Sequence, residues 1–293
     1  MNKAINFIAW LFLILGVLFS LTVLYTAFND DKISLNLLDW KYIEKISYSF
    51  SLLAMLFGGA GTFAIFLTLI KQQEQFNKAQ RQIETQQFES TFFNMLNQVF
   101  NIKNNINGVV NGKKYEGQEF LHEILNCLKK EYNKNISLNQ DVNRVLNEIA
   151  DCNLPVSSKI KMVKEDLNLV YMNIYNLNHT QLGHFFRYLY NMMKFVILNR
   201  ENESFSDASK YIQIIQAQLS NDELGMIFCN TISDKAYGSN GENLLFNWIE
   251  NYSFLENIDK ESLLHKSLHV LYPRNKFKFL NSDERKMRNN IAN

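Results

Sequence analysis

The chain has 293 residues, and its 30 Lys and Arg nearly balance its 29 Asp and Glu, so the formal net charge is only +1. This balance excludes a protein that binds nucleic acid through its whole electrostatic field, although it leaves room for a local basic patch. The three cysteines include no C-x-x-C spacing, which argues against a disulfide framework or a structural zinc site and predicts reduced thiols. With only 2 prolines, the composition favours long helices.

Two apolar segments near the N-terminus, 5–28 and 47–70, have 24 residues each and contain no charged side chain. Each exceeds the roughly 20 residues that cross the hydrocarbon core of a bilayer, so both are predicted to be transmembrane helices. The basic residues that flank the pair favour a multi-pass protein of the cell membrane with both termini in the cytoplasm. Neither segment carries an ionisable side chain, which argues against an ion pathway built from this chain alone.

The segment 71–87 is polar and rich in Gln, with a thin apolar stripe at Phe76, Ala79 and Ile83. This pattern predicts a helical stalk with weak coiled-coil character, and it leads us to expect a homo-oligomer formed through the stalk or the transmembrane helices. A solvated helix without a partner is the alternative interpretation.

From Phe88 onward, apolar residues become dense on one helical face, which predicts a cytosolic domain over 88–272. The residues from Ser220 to Glu223 have the spacing of a capping box and predict the start of a new helix. No alternating apolar and polar run indicates a sheet. Helices are predicted at 117–133, 139–150, 156–176, 180–199, 207–219, 221–233, 242–251 and 260–270.

The predicted fold class is therefore all-α, with two N-terminal transmembrane helices, a helical stalk and a multi-helix cytosolic domain. Residues 273–293 contain six basic side chains against two acidic ones. We expect them to form a solvated basic tail, and contact of this tail with nucleic acid or with the anionic inner leaflet is the alternative.

The helix predicted at 180–199 carries a polar face opposite an apolar one. His184, Arg187, Asn191 and Lys194 follow one another at steps of three and four residues, and His179 lies just before them. One interpretation is a cationic groove in which His184 acts as an acid or base and Arg187 holds a phosphate or a carboxylate. The other is a solvated helix face without a ligand.

Gln218 and Glu223 are polar residues at the junction of two predicted helices. They would either line a site or form structural hydrogen bonds at the turn. Glu261, His265 and His269 have metal-ligand spacing on one predicted helix, but no further ligand accompanies them, so neither a metal nor a cofactor is predicted. Phosphate-binding and hydrolase motifs rich in glycine are also absent from the sequence.

Several blocks along the chain carry a resemblance to a known family. They are FESTFFNMLNQVFNI at 88–102, a Gly-x-x-Phe element at 117–120, an N-H-x-x-L-G-H-x-F-R-x-L-Y block at 178–190, and an A-Q-L-S-x-x-E-L block at 217–224 that precedes Asn230. Their order resembles that of the AbiC-like phage abortive infection family of bacteria. Two positions depart from the family pattern, because Gln216 stands where an Arg is frequent and Cys229 stands where an aromatic residue is common.

The resemblance implies phage defence by abortive infection. The expected protein is anchored in the inner membrane, and its cytosolic domain senses a phage signal and then disrupts the membrane or shuts down the host. The alternatives are a membrane-tethered enzyme, in the first place a ribonuclease that uses His184 and Arg187, and a membrane scaffold unrelated to phage. Candidates for catalysis are His184, Arg187 and Glu223, and candidates for binding are His179, His184, Arg187, Asn191, Gln218 and Asn230. The phage or host partner is not identified, and a nucleic-acid partner is possible but has no support in the sequence.

Overall fold

The computed structural model describes residues 11, 14–22, 25, 40–151, 157–200 and 205–292. The chain divides into two compact units, Met1–Gln87 and Phe88–Asn293. From residue 40 onward the helices are α1 (Trp40–Asn105), α2 (Gly117–Leu138), α3 (Gln140–Ala150), α4 (Ser157–Leu177), α5 (His179–Arg200), α6 (Phe205–Ala217), α7 (Asn221–Ile232), α8 (Leu244–Asn251) and α9 (Ser282–Ala292). Short 3-10 segments occupy Asp234–Ala236, Lys260–Ser262 and Lys266–Leu271, and two strands are β1 (Asn107–Val110) and β2 (Lys113–Glu116). The expectation of a mostly helical protein is thereby confirmed.

Helix α1 contains the apolar segment predicted as the second transmembrane helix. Among the described residues, Phe50–Asn105 is one helix whose length and composition would allow it to cross a membrane, and none of its apolar window is buried. The first predicted span, 5–28, lies partly outside the described residues. Within this span, the described residues 14–22 are helical. Two transmembrane helices therefore remain a prediction, whereas one long, exposed apolar helix is present.

The predicted stalk, 71–87, is part of α1 and is exposed along its whole length. Its apolar stripe is not covered within the described chain, since Phe76 is 64% exposed and Ile83 is 53% exposed. Lys78 and Glu74 form an ion pair of 2.6 Å one turn apart, which supports a helix on a solvated face.

A short hairpin in the second unit corrects the all-α expectation. β1 and β2 pair antiparallel, and Val110 lies opposite Lys113. The two residues of the turn, Asn111 and Gly112, have φ angles of 51° and 77°, as the tight turns favoured by Asn-Gly require. The strands are only four residues long, too short for an alternating pattern to be recognised, but the Asn-Gly dipeptide was a signal for this turn.

The helices of the second unit enclose one apolar core. Helix α2 packs against α4 and α7, α4 also packs against α3 and α7, and α5 packs against α6. The helices predicted between 117 and 251 all form, with ends that differ by a few residues. Of the cysteines, Cys127 and Cys229 are free thiols, and Cys152 lies outside the described residues.

The prediction of an α-helix at 260–270 is wrong, because two 3-10 segments occupy this region. His265 has an extended backbone, and its ring nitrogen accepts a hydrogen bond from the N–H of Ser267. His265 and His269 therefore do not share the α-helical face on which their metal-ligand spacing depended. His269 is buried, which lowers the pKa of its imidazole.

The interpretation of the C-terminal segment as a solvated tail is also wrong. Phe277, Leu280 and Met287 are buried in the core, and α9 begins at Ser282. Arg288 is buried as well and donates hydrogen bonds to two backbone carbonyls, those of Tyr272 and Asn275. The apolar residues of this segment are dispersed among lysines and arginines. The net positive charge therefore favoured a solvated tail, although the apolar residues pack into the core.

Candidate functional site

Two groups of polar side chains include the residues singled out from the sequence, and the first lies at the start of α7. The side chain of Ser220 accepts a hydrogen bond from the N–H of Glu223 at 3.3 Å, and the carboxylate of Glu223 accepts one from the N–H of Ser220 at 2.8 Å. The predicted capping box is thus confirmed. It satisfies two backbone donors that the first turn of a helix leaves without intrahelical partners.

Glu223 also forms a buried ion pair with Lys103, a residue from the last turn of α1. The ammonium of Lys103 lies 3.2 Å from each carboxylate oxygen of Glu223, and it donates a hydrogen bond to Oε2. It also donates to the carbonyl oxygen of Gln218 at 3.1 Å. The Lys103 side chain is 6% exposed and that of Glu223 is fully buried, so each charge compensates the cost of removing the other from water.

Burial raises the pKa of Glu223, while the N–H of Ser220 and the charge of Lys103 act in the opposite direction. The carboxylate is inaccessible to solvent, and its described contacts are with Lys103 and Ser220 rather than with His184 or Arg187. The arrangement therefore fixes the junction between α6 and α7, and it does not present Glu223 as a general acid or base.

Sequence reasoning missed Lys103, although a signal was present. Phe92, Leu96 and Val99 form the buried face of this part of α1, and Lys103 occupies the next position of that same face. A lysine at a core position requires an anionic partner. The capping-box glutamate was the candidate partner, but its position in space could not be read from the sequence.

The second group of residues lies on α5. The side chains of His184, Arg187 and Asn191 are on the exposed face of this helix. His179, the first residue of α5, is also exposed, and its ring nitrogen lies 3.1 Å from the carbonyl oxygen of Asn176 in the last turn of α4. The predicted polar face is thus exposed to solvent. Within the described residues, none of these four side chains makes a described hydrogen bond with Gln218 or Glu223.

Arg187 is held in place by its own helix and lies beside a tyrosine of α4. Its Nε donates a hydrogen bond to the carbonyl oxygen of Gly183 at 3.0 Å. The hydroxyl of Tyr175 lies so close to Gly183 that a Cβ at this position would be 2.9 Å from the hydroxyl oxygen. A side chain at position 183 would therefore have to displace the hydroxyl end of Tyr175.

Tyr175 is also approached by the cation of Lys235. The ammonium of Lys235 lies 5.4 Å from the centroid of the tyrosine ring. Burial raises the pKa of Tyr175, and the charge of Arg187 acts in the opposite direction. Two cations thus act on one tyrosine, Arg187 of α5 through its charge and Lys235 of the 3-10 segment Asp234–Ala236 by direct approach to the ring.

Asn230 has a structural role at the other side of α4. Its side-chain amide donates a hydrogen bond of 2.8 Å to the hydroxyl of Tyr171, and both residues are buried. The rings of Tyr171 and Tyr175 are 5.7 Å apart, so the two tyrosines form a continuous contact between α5 and α7. Asn230 thus has a packing role in the described structure, and its role as a binding residue stays a prediction.

One groove in the described structure is lined by none of these residues. It has a volume of about 560 Å³ and is lined by residues of α2 and α4 that include Lys130, Lys134, Leu138 and Leu177. Within the described residues, no group of three or more His, Cys, Asp and Glu side chains is placed to hold a metal ion. The candidate residues thus form surface and packing clusters rather than an enclosed cleft.

Replacing Gly183 with alanine tests the close packing of α4 and α5. We expect Gly183→Ala to lower the free energy of unfolding by about 1 kcal/mol, because the new methyl group must displace the hydroxyl end of the Tyr175 side chain and the helix propensity of alanine offsets only part of that cost. Tyr175→Phe in the same chain should restore most of this loss, since the next-nearest atom of the tyrosine is 3.9 Å from the added Cβ. Chemical denaturation of the two single variants and the double variant measures the coupling. Equal losses in Gly183→Ala and in the double variant would contradict the proposed contact.

These contacts describe a mostly helical protein in which a long, exposed apolar helix precedes a domain with two conspicuous polar blocks. The family model described as "Putative phage abortive infection protein" matches residues 177–263. The match includes both the block at 178–190 and the block at 217–224, so the resemblance inferred from them is confirmed over this part of the chain. No curated protein and no solved structure matches the chain.

Proposed function

We propose that this chain is a membrane-anchored bacterial antiphage protein that acts by abortive infection. The observation that carries this proposal is the family match over 177–263, which covers the blocks at 178–190 and 217–224. In this proposal the cytosolic helical domain senses a phage signal and then causes membrane disruption or host shutdown.

Membrane anchoring is supported by the apolar surface of α1. Phe57, Phe63 and Ile70 are about half exposed, and the mean hydropathy of the apolar window is 2.1. Contiguous exposed apolar surface of this kind is unfavourable in water and favourable in a bilayer. We propose that this segment spans the cell membrane, together with the segment predicted at 5–28, and that both termini are cytoplasmic.

Self-association is supported by the exposed stripe of the stalk. Leu69, Phe76 and Ile83 follow one another at intervals of seven residues and are all about half exposed or more. A seven-residue interval keeps the side chains on one face when helices supercoil. We propose that a second copy of the chain covers this stripe.

The ribonuclease alternative has no described contact in its favour. General acid–base catalysis requires its groups to converge on one reacting bond. Glu223 is enclosed in its ion pair with Lys103, whereas His184 lies on an exposed helix face. The defence function is therefore proposed without a catalytic step.

A pair of charge substitutions tests the membrane part of the proposal. We expect Ala60→Lys with Ala64→Lys to reduce the share of the chain in the membrane fraction, because only the segment at 5–28 is then left to anchor it, and to abolish protection in a phage plating assay. Each lysine near the middle of a span costs about 2.5–3.5 kcal/mol. The matched control is Gln75→Lys with Gln82→Lys in the exposed stalk, which adds the same charge and should leave both readouts unchanged.

If the chain with lysines at 60 and 64 is soluble and still protects fully, membrane action is wrong. Loss of protection by the stalk control at unchanged protein level would also contradict the proposal, because added charge alone would then be sufficient.

A further inference from the structure

The exposed face of α5 contributes to a small cationic cluster that consists of Arg187, Lys235 and Tyr175. Arg187 donates a hydrogen bond to the carbonyl oxygen of Gly183, the hydroxyl of Tyr175 also lies against Gly183, and Lys235 lies over the tyrosine ring. Three elements of the second unit, α4, α5 and the 3-10 segment Asp234–Ala236, each supply one residue. The cluster therefore forms only when these elements are folded together.

Neither cation of this cluster has an acidic partner among the residues that the structure describes. The described ion pairs involve other residues, and both Arg187 and Lys235 are exposed. Asp234, the acidic neighbour of Lys235, is already engaged with Asn168, whose amide donates to its carboxylate at 2.8 Å and accepts from its N–H at 3.0 Å. The positive charge of the cluster is thus left to solvent or to an anionic ligand.

The guanidinium of Arg187 is preorganised for such a ligand. Its Nε is occupied by the carbonyl oxygen of Gly183, and its two terminal nitrogens have no described partner. A guanidinium whose orientation is fixed in this way offers paired donors that match the oxygens of a phosphate. The hydroxyl of Tyr175 stays protonated at neutral pH, because its pKa is raised, and it adds a neutral donor.

The surroundings of the tyrosine favour recognition of a phosphate over recognition of a base. Proteins that bind single strands without sequence preference stack bases on open aromatic faces along a positively charged groove. Here the ring of Tyr175 is approached by Lys235 and by the ring of Tyr171. A cluster of two cations fits one phosphate group or two adjacent ones better than a nucleic-acid strand.

We propose that Arg187, Lys235 and Tyr175 bind the phosphate group of a small phosphorylated ligand. This inference rests on the proposed function, and it deepens that function by giving a chemical class to the signal that the domain senses. The ligand is defined by its phosphate, so free pyrophosphate and the phosphates of a nucleotide are the two sources to be compared.

Binding is measured on the full-length chain in detergent micelles, by titration calorimetry with pyrophosphate, with ATP and with a single-stranded RNA that lacks terminal phosphates. We expect pyrophosphate and ATP to bind and to compete with each other. Arg187→Gln and Lys235→Gln should each weaken binding about tenfold or more, because a charge-assisted hydrogen bond is lost. Lys194→Gln is the matched control, since Lys194 is an exposed cation two turns further along α5, and it should leave binding unchanged.

Three results would overturn the inference. These are no binding of pyrophosphate or ATP, equal weakening by Lys194→Gln, and binding of the RNA alone. A better affinity for ATP than for pyrophosphate would identify a nucleotide as the source of the phosphate, and the reverse order would favour the free anion.

Phage plating separates this inference from the proposed function. We expect Arg187→Gln to lose protection at unchanged protein level, and Lys194→Gln to retain it. If Arg187→Gln abolishes binding but protects fully, the site is not the sensor and the inference fails, while the proposed function stands. If the parent chain itself gives no protection, the proposed function fails, whatever the binding measurements show.

Discussion

Replacing Lys103 with methionine is expected to lower the free energy of unfolding by about 3–5 kcal/mol, because it leaves the Glu223 carboxylate buried without its cation. Methionine matches the lysine stem in length and stays apolar, so the space that the stem fills is retained, whereas the approach of the ammonium to the ring of Phe100 is lost together with the ion pair. The capping box keeps one hydrogen bond to the carboxylate, but the buried negative charge is then uncompensated. Chemical denaturation of the detergent-solubilised full-length chain, followed by circular dichroism, measures the loss.

The chain offers a matched control in an exposed ion pair. Lys114 and Glu116 are 2.7 Å apart, but their side chains are 64% and 66% exposed. Lys114→Met should therefore change the free energy of unfolding by less than about 1 kcal/mol. The double variant Lys103→Met with Glu223→Gln should recover much of the loss of Lys103→Met, because glutamine carries no charge. A loss in Lys103→Met no larger than that in Lys114→Met would contradict the role of the buried pair.

The pH dependence of the same variant has a defined sign. Burial raises the pKa of Glu223 above its ordinary value of 4.5, and Lys103 lowers it. Without Lys103 the folded-state pKa rises further, so the folded chain binds a proton more readily than the unfolded chain does. The stability of Lys103→Met relative to the parent should therefore improve as the pH falls toward the ordinary pKa of a glutamate, and it should worsen as the pH rises through the folded-state pKa. A loss that is independent of pH would indicate a packing defect instead.

Replacing Gly225 with alanine is expected to lower the free energy of unfolding by about 3 kcal/mol, at the upper end of the usual range for overpacked cores. A Cβ at this position of α7 would lie 2.6 Å from the backbone oxygen of Ser262 and 3.0 Å from a methyl group of Leu125. The nearest obstacle is backbone, so α7 and the 3-10 segment Lys260–Ser262 must move apart. The gain of about 1 kcal/mol that alanine brings to a helix cannot offset this displacement.

Thermal and chemical denaturation of Gly225→Ala measure the effect. Gly59→Ala is the control, because Gly59 also lies in a helix but has no atom within 4 Å of the added Cβ. It should leave the unfolding of the second unit unchanged. If Gly225→Ala is as stable as the parent chain, the contact between α7 and the segment at Ser262 is not as close as described.

Local patterns were sufficient to predict the helices of the second unit and the start of α7. A capping box involves residues only three positions apart, so its geometry follows from the sequence itself. The hairpin at Asn111 and Gly112 also had a local signal, but its strands are shorter than the window in which alternation is recognised. The α-helix predicted at 260–270 is absent because the spacing of its apolar residues is also compatible with two 3-10 segments. The residue before the second of these segments, His265, has an extended backbone.

Composition, periodicity and short motifs were enough to establish that the protein is mostly helical, that a long apolar helix precedes the second unit, and that two polar blocks resemble a defence family. Each of these properties depends on a few neighbouring residues. Tertiary packing was needed to show that Glu223 pairs with Lys103, that Arg288 is buried, and that Lys235 lies over the ring of Tyr175, whose pKa is also influenced by the charge of Arg187. The partners in each case come from distant parts of the chain, and the free energy of a buried or unpaired charge depends on what surrounds it in space.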